Sequence, residues 1–367
     1  METITDNVKE EQEEAFTQLD KAEAHADRAI KAYLRERVPE FQRLAILRER
    51  GWKNKSADTF FQKQRDNADH CNKKTARFFY SMMKEIAQQL HDSTGCLCIS
   101  NADATDRGIL DFCMAPGGFL ATALDLNSGA HALAFSLPLS VGGHRVLLPR
   151  SPAFTLRFLD ITMLAADMGV TQIPSGHPDA QNFLPQALET GKMFDLILCD
   201  GQVLREHIRA SYRERREVSR LILTQLALGL QHVRPGGSMV VLLHKVETWK
   251  TLRLLFSFSK FSSVRLFKSN KYHTKRSSFY MIATDIQPLH DEALLTIEAW
   301  KAAWTLATFG TDEALESAGR KEQLKLGPIL DAFGSELSSL GREIWKIQAD
   351  ALEQAPWFRN GGGEPTE

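Results

Sequence analysis

The feature that most limits what this chain can become is Gly108-Ile-Leu-Asp-Phe-Cys-Met-Ala-Pro-Gly-Gly-Phe-Leu-Ala121, a short apolar run that passes through a glycine pair into a second one. Ile109 to Met114 has the length and apolarity of a buried parallel strand. Gly117-Gly118 lets the backbone turn tightly and approach a ligand with no Cβ in the way. Phe119 to Leu126 continues as an apolar helix. Strand, glycine turn and the free N–H groups of a helix start make a nucleotide-sized cradle at the carboxyl edge of a parallel sheet. The dinucleotide-binding spelling Gly-x-Gly-x-x-Gly is absent, and a proline precedes the glycines.

Asp111-x-x-x-Ala115-Pro116-Gly117-Gly118-Phe119 resembles instead the first motif of S-adenosylmethionine-dependent methyltransferases, in the form used by the FtsJ-like RNA ribose 2'-O-methyltransferases. The resemblance runs over roughly residues 75 to 285, with strong motifs at 111 to 119 and 194 to 201. It implies S-adenosyl-L-methionine as cofactor, with Asp111, Ala115, Pro116, Gly117, Gly118 and Phe119 around its methionine part and ribose. It also implies a Rossmann-like α/β sheet, mostly parallel with an antiparallel last strand.

The rest of the chain alternates strand and helix signals to match. His131 to Leu137 predicts a second strand, whose end region reads Phe135-Ser-Leu-Pro-Leu, with no carboxylate at the place where many methyltransferases keep one for the cofactor ribose. Thr155 to Thr162 predicts a third strand, and the resemblance gives Asp160 the adenine amino group. Read from its residues alone, Asp160 also suits a turn or helix N-cap. Residues 171 to 192 are a Pro-, Gly-, Asn- and Gln-rich connection with at most one short helix. Phe194-Asp-Leu-Ile-Leu-Cys-Asp-Gly201 is a clear apolar strand ending in an Asp-Gly turn, and Asp200 stands where the family keeps its active-site aspartate. A helix is expected from about 205 to 233, with Arg205, Arg209, Arg213, Arg215, Arg216 and Arg220 in its first half. Arg234-Pro-Gly-Gly237 stops it, and Ser238 to Leu243 is the next strand.

The family's remaining catalytic positions are replaced. Alignment puts Met82, Leu242 and Ser278 where it keeps two lysines and a glutamate. Lys245 lies three residues past Leu242, an odd offset that flips the face of a strand, so it substitutes only if the strand bulges or ends before it. Lys84 lies two residues past Met82, about 200° around a helix. Ser263 to Lys268 and Ser277 to Thr284 predict two closing strands, joined by the basic linker Lys271-Tyr-His273-Thr-Lys275-Arg276.

Composition bounds the rest. A net charge of -1 gives no global signal for nucleic acid, so RNA contact falls to local basic segments, 205–220 and 268–276. No run of eighteen apolar residues suggests a membrane span. The acidic start, Met1 to Glu11, reads as neither signal nor transit peptide, so the expected location is cytoplasmic or nuclear. Cysteines at 71, 96, 98, 113 and 199 form no Cys-x-x-Cys pair, and no metal site is expected. The domain reading is a helical extension over 1–92, the methyltransferase unit over 93–287, a second helical extension over 288–358 and a disordered tail over 359–367. The helical extensions pack on each other or offer a surface to a protein partner.

Three functions fit: a methyltransferase acting on an RNA ribose 2'-hydroxyl with Asp200 and Lys245 at the chemistry, a methyltransferase-fold protein that binds without turnover, or an enzyme methylating a non-RNA acceptor.

Overall fold

The computed structural model describes residues 18–69, 72–99 and 107–359. The acidic start, Cys71 and the tail from 360 onward lie outside these residues. The described strands are β1 (Gly108–Asp111), β2 (His131–Ser136), β3 (Phe154–Phe158), β4 (Phe194–Cys199), β5 (Val233–His244), β6 (Ser263–Phe267) and β7 (Ser278–Ile286). They form one sheet in the order β3-β2-β1-β4-β5-β7-β6. The first five are parallel, and β7 runs antiparallel to both β5 and β6. This is the Rossmann-like sheet the sequence predicts. The strand order reverses between β1 and β4, and the crevice of such a sheet opens at that switch point, beyond the strands' carboxyl ends.

The helices are α1 (Gln18–Arg37), α2 (Pro39–Trp52), α3 (Lys55–Asp69), α4 (Lys73–Thr94), α5 (Gly118–Leu126), α6 (Glu217–His232), α7 (Trp249–Phe258), α8 (Asp291–Phe309), α9 (Asp312–Gln323), α10 (Leu326–Glu353) and the short α11 (Pro356–Arg359). Proline and a cap divide the first of them: Val38 precedes Pro39 at the start of α2, and the Asn72 side chain accepts the Lys74 and Thr75 amides at the start of α4. Side-chain alternation sorts the sheet into two faces. Ile109, Leu196, Leu198, Val240, Tyr280 and Ile282 face α4 and α5, where they pack with Met82, Ile86, Phe119 and Leu120. Leu110, Ile197, Cys199, Val241 and Met281 face the other way, into a core that runs without a break through α6, α7 and α8 to the N- and C-terminal helices.

Several predicted boundaries shift. The helix expected from about 205 begins only at Glu217. Residues 205–216 hold only the 3-10 turn Ser211–Arg213, and Arg205, Arg213 and Arg216 reach partners on other elements. β3 ends at Phe158, before Asp160, and residues 171–192 contain no helix. β5 extends back to Val233 through Pro235-Gly236-Gly237, with an irregular register between Gly237 and Met239.

The two helical extensions meet. Phe41 of α2 stacks near Trp345 of α10 at 5.1 Å, and Arg43 pairs with Asp350. A buried polar staple fixes both to the sheet. Arg48 of α2 donates to Glu247, just past β5, at 2.5 Å and to Gln348 of α10 at 2.7 Å. Trp345 donates to the other Glu247 oxygen, and Gln348 donates to the carbonyl of Lys275. Burial alone would raise the Glu247 carboxyl, yet Arg48 and these hydrogen bonds hold it below its ordinary range. A depressed carboxyl contributes stability above its unfolded value and loses it as pH falls through the folded one. Arg48→Met leaves that carboxylate buried and unpaired, and is expected to cost about 3–5 kcal/mol at pH 7. Denaturant titration checks this, and the cost should shrink as pH falls below the ordinary carboxyl range, through the depressed range in which Glu247 takes up its proton.

Candidate active site

Beyond the carboxyl ends of the central strands lies a cavity of about 740 Å³. Its floor is Ala115 and Pro116 after β1, Ser136 and Leu137 after β2, Leu159 to Thr162 after β3, and Asp200 to Leu204 after β4. One bank is α4, through Phe78, Phe79, Met82 and Met83; the other is Leu242, His244, Ser278 and Tyr280 of β5 and β7, with the loop from Lys268 to Arg276. α3 supplies Phe60 and Gln64, so the N-terminal extension forms part of the wall.

Alternation explains the convergence. Asp111, Asp200, Leu242, His244, Ser278 and Tyr280 share the parity of the residues packed on the α4 and α5 face, and all stand at the strand ends nearest the cleft. Met82, Asp200, Leu242 and Ser278, far apart in sequence, thus line one cavity. Lys245 does not. β5 ends at His244, and Lys245 turns into the left-handed region at φ 54°, exposed and outside the cavity wall. Lys84 pairs with Asp125 at 3.2 Å, also off the wall.

The glycine pair serves steric needs. At Gly117, with φ +105°, a Cβ would stand 2.9 Å from that of Leu148, in the loop whose Leu147 amide bonds the Pro116 carbonyl. At Gly118 a Cβ would stand 2.4 Å from the Tyr80 carbonyl oxygen and 2.9 Å from the Lys84 amide nitrogen. Gly118 therefore lets α5 touch the backbone of α4. Phe119 is buried, 5.2 Å from the Tyr280 ring. Ala115 and Pro116 border the cavity; Gly117, Gly118 and Phe119 stand behind it.

Asp111 and Asp200 are the electrostatic centre. Asp111 is 1% exposed and accepts the Cys113 amide. Burial, then the charge of Asp200, raises its carboxyl well above the usual range. Burial pushes Asp200 up to about 7, and its Oδ1 is buried without a hydrogen-bond partner. Two acids held together with no basic partner against Asp200 Oδ1 suit a cationic ligand, and a sulfonium carrying an α-ammonium group is one. Buried Gln225 fixes the turn by accepting the Gly201 amide at 3.0 Å.

Asp160 caps the 3-10 turn Ile161–Met163: its Oδ1 accepts from the Thr162 amide and hydroxyl, while Oδ2 meets Arg213 at 2.5 Å. It still borders the cavity, with lone pairs left for a further donor. The arginine cluster downstream is largely spent inside the fold. Arg213 and Arg220 are buried on Glu217, Arg216 reaches Asp312, Arg209 reaches Glu214, and Arg205 binds Asp66 and Asp69 of α3. The 268–276 segment does border the cavity, although Lys271 pairs with Glu85 and Arg276 donates to Gln64. Lys74 and Arg145, also on the wall, have no acidic partner among the described residues.

The sequence reading assigned no role to His244 or Tyr280, and took Lys268 only as part of the basic segment 268–276. Lys268 is 5% exposed and donates to the carbonyls of His273, Arg276 and Ser278; burial, then Arg48, lowers its amine to about 7. Three backbone carbonyls accept from its Nζ, so Lys268 clamps its loop. Burial, then the charge of Asp200, keeps Tyr280 a neutral phenol. Period-2 alternation from Leu242 and Ser278 was the signal for His244 and Tyr280; a lone lysine after a strand gave none.

A family model described as FtsJ-like methyltransferase matches residues 88–286. A comparison with curated proteins gives no match. Solved structures with a similar fold include the N-methyltransferase NodS from Bradyrhizobium japonicum WM9, at 12% identity over 55% of this chain and 98% of that one, TM-score 0.34. Human methyltransferase-like protein 13 in complex with SAH is 12% identical over 60% of this chain and 92% of that one, TM-score 0.33. A fibrillarin/Nop5p complex is 12% identical over 49% of this chain and 73% of that one, TM-score 0.30.

Two outcomes follow from the geometry. Gly118→Ala forces α5 away from α4 and should lower the thermal midpoint sharply, whether or not cofactor is present; a variant as stable as the parent would remove the steric role. Asp200 is ionised in the unfolded chain above about pH 4 but holds its proton to about 7 when folded. Stability is therefore lost as pH rises between those values. Asp200→Asn should raise the melting temperature at pH 8, leave it unchanged at pH 4, and weaken S-adenosylhomocysteine binding by calorimetry.

Proposed function

The chain belongs to the FtsJ-like methyltransferase family, whose cofactor is S-adenosylmethionine, and from that premise we propose that it methylates a ribose 2'-hydroxyl of RNA. One observation carries the proposal: the buried, unpartnered Oδ1 of Asp200 on the floor of a cleft sized for a cofactor and a nucleotide. The cofactor supplies a methyl group on a positively charged sulfur. Asp200, which gives up its proton near 7, would supply the negative charge that holds such a cation, with Asp111 buried beside it, and Ala115, Pro116 and Asp160 border the space its nucleoside would take. Lys74, Arg145 and Lys275 at the wall suit an acceptor that carries phosphates. Phe60 and Phe78 offer apolar faces to an unstacked base. α3 closes one side of the cleft, which favours a single-stranded or terminal nucleotide over a duplex.

A second reading, binding without turnover, draws on Met82, Leu242 and Ser278, which offer no charge where the family keeps two lysines and a glutamate. Tritium transfer from labelled S-adenosylmethionine separates the two. The proposal expects label in RNA that alkaline hydrolysis leaves in dinucleotides, and a loss of at least about 100-fold in Asp200→Ala. Cofactor and RNA binding with no label in RNA would favour the second reading, and label in small molecules alone a different acceptor.

A further inference from the structure

The cleft contains one imidazole placed for proton chemistry. His244 is the last residue of β5 and lies two residues past Leu242, so both point to the same face. Leu242 itself lies beside Asp200, because Cys199 of β4 registers with Val241 of β5. His244 then stands about 7 Å further along the strand, beyond the floor and toward the acceptor side. Across the ladder it registers with Ser278. Its ring has no hydrogen-bond partner among the described residues, whereas Lys268 is bound to three carbonyls and Lys271 to Glu85.

Resting on the methyltransferase reading above, we infer that His244 is the general base that takes the proton from the acceptor hydroxyl. As the acceptor oxygen bonds the methyl carbon, its proton passes to the imidazole lone pair, and the electron pair of the broken carbon–sulfur bond stays on sulfur. The imidazolium then returns the proton to water at the cleft mouth.

The surroundings keep that lone pair free. His244 is exposed at the cleft mouth, yet partial loss of hydration, then Arg276 and Lys268 from the closing loop and Lys245 from its own chain end, hold it below the ordinary imidazole range. Lys268 is itself lowered to about 7 by burial, and His273 in the closing loop is lowered to about 4 by burial and by Arg276, Lys268 and His244. Among the described residues no carboxylate acts on His244. The neutral form therefore prevails at pH 7, as a base requires. His144 and His207 line the cavity too, but on the loops after β2 and β4, away from the β5–β7 edge.

The test uses the full chain. Tritium transfer is measured for wild type and His244→Ala, with S-adenosylhomocysteine affinity by calorimetry as the check on folding. We expect the variant to bind within twofold of wild type, to lose about 100-fold or more in rate, and to recover part of it with added imidazole. Imidazole NMR without cofactor, with the His244 resonance assigned by its loss in the variant, should give a midpoint below about 6.5. Wild-type turnover that the variant retains within threefold, or a His244 midpoint above about 7, overturns this inference alone. A wild type that binds cofactor but labels no hydroxyl acceptor overturns the methyltransferase reading, and the base with it.

Discussion

Two carboxylates held at the buried ends of neighbouring parallel strands set the terms for everything else in this molecule. Among the described residues Asp111 and Asp200 have no basic partner, so burial holds their carboxyls protonated above the usual range, and a cationic ligand would favour the ionised form. The surrounding architecture maintains that arrangement. Gly118 brings α5 onto α4, Gln225 fixes the turn after Asp200, and the loop over Gly117 closes the floor. Each contact would be unnecessary if the strand ends were open to water.

Charge elsewhere is divided by position. The arginines after β4 are used internally, on Glu217, Asp160 and the acids of α3 and α9, and they hold the floor in place. The cations that border the acceptor side come from distant parts of the chain, from the start of α4, the loop after β2 and the turn before β7. The last of these is also tied to the staple of Arg48, Glu247 and Gln348, so the extensions at both ends of the chain help to position the acceptor wall. They share one continuous apolar core with the sheet.

How much of this could be read from the residues is clearest at particular positions. Asp200 was legible because a six-residue apolar strand ending in Asp-Gly places its acid at the sheet's edge by local geometry alone. The Met82, Leu242 and Ser278 substitutions were legible for the same reason, since strand and helix periods fix a face. The start of α6 was not legible, because the arginines before it have partners more than fifty residues away. Asp160 fitted both a cofactor contact and a turn cap, and the folded chain places it as a cap at the cavity's edge.

The sequence by itself determined the sheet and the glycine turn, because apolar periodicity and backbone freedom act over a few residues, and its motifs at 111 to 119 and 194 to 201 carried the resemblance to the family. Only the tertiary structure decided that Lys245 turns away while His244 faces the cleft, that α3 walls the acceptor side, and that most of the arginine run binds acids of its own chain. Those outcomes depend on long-range ion pairs and on where a strand stops pairing, and local sequence carries no term for either.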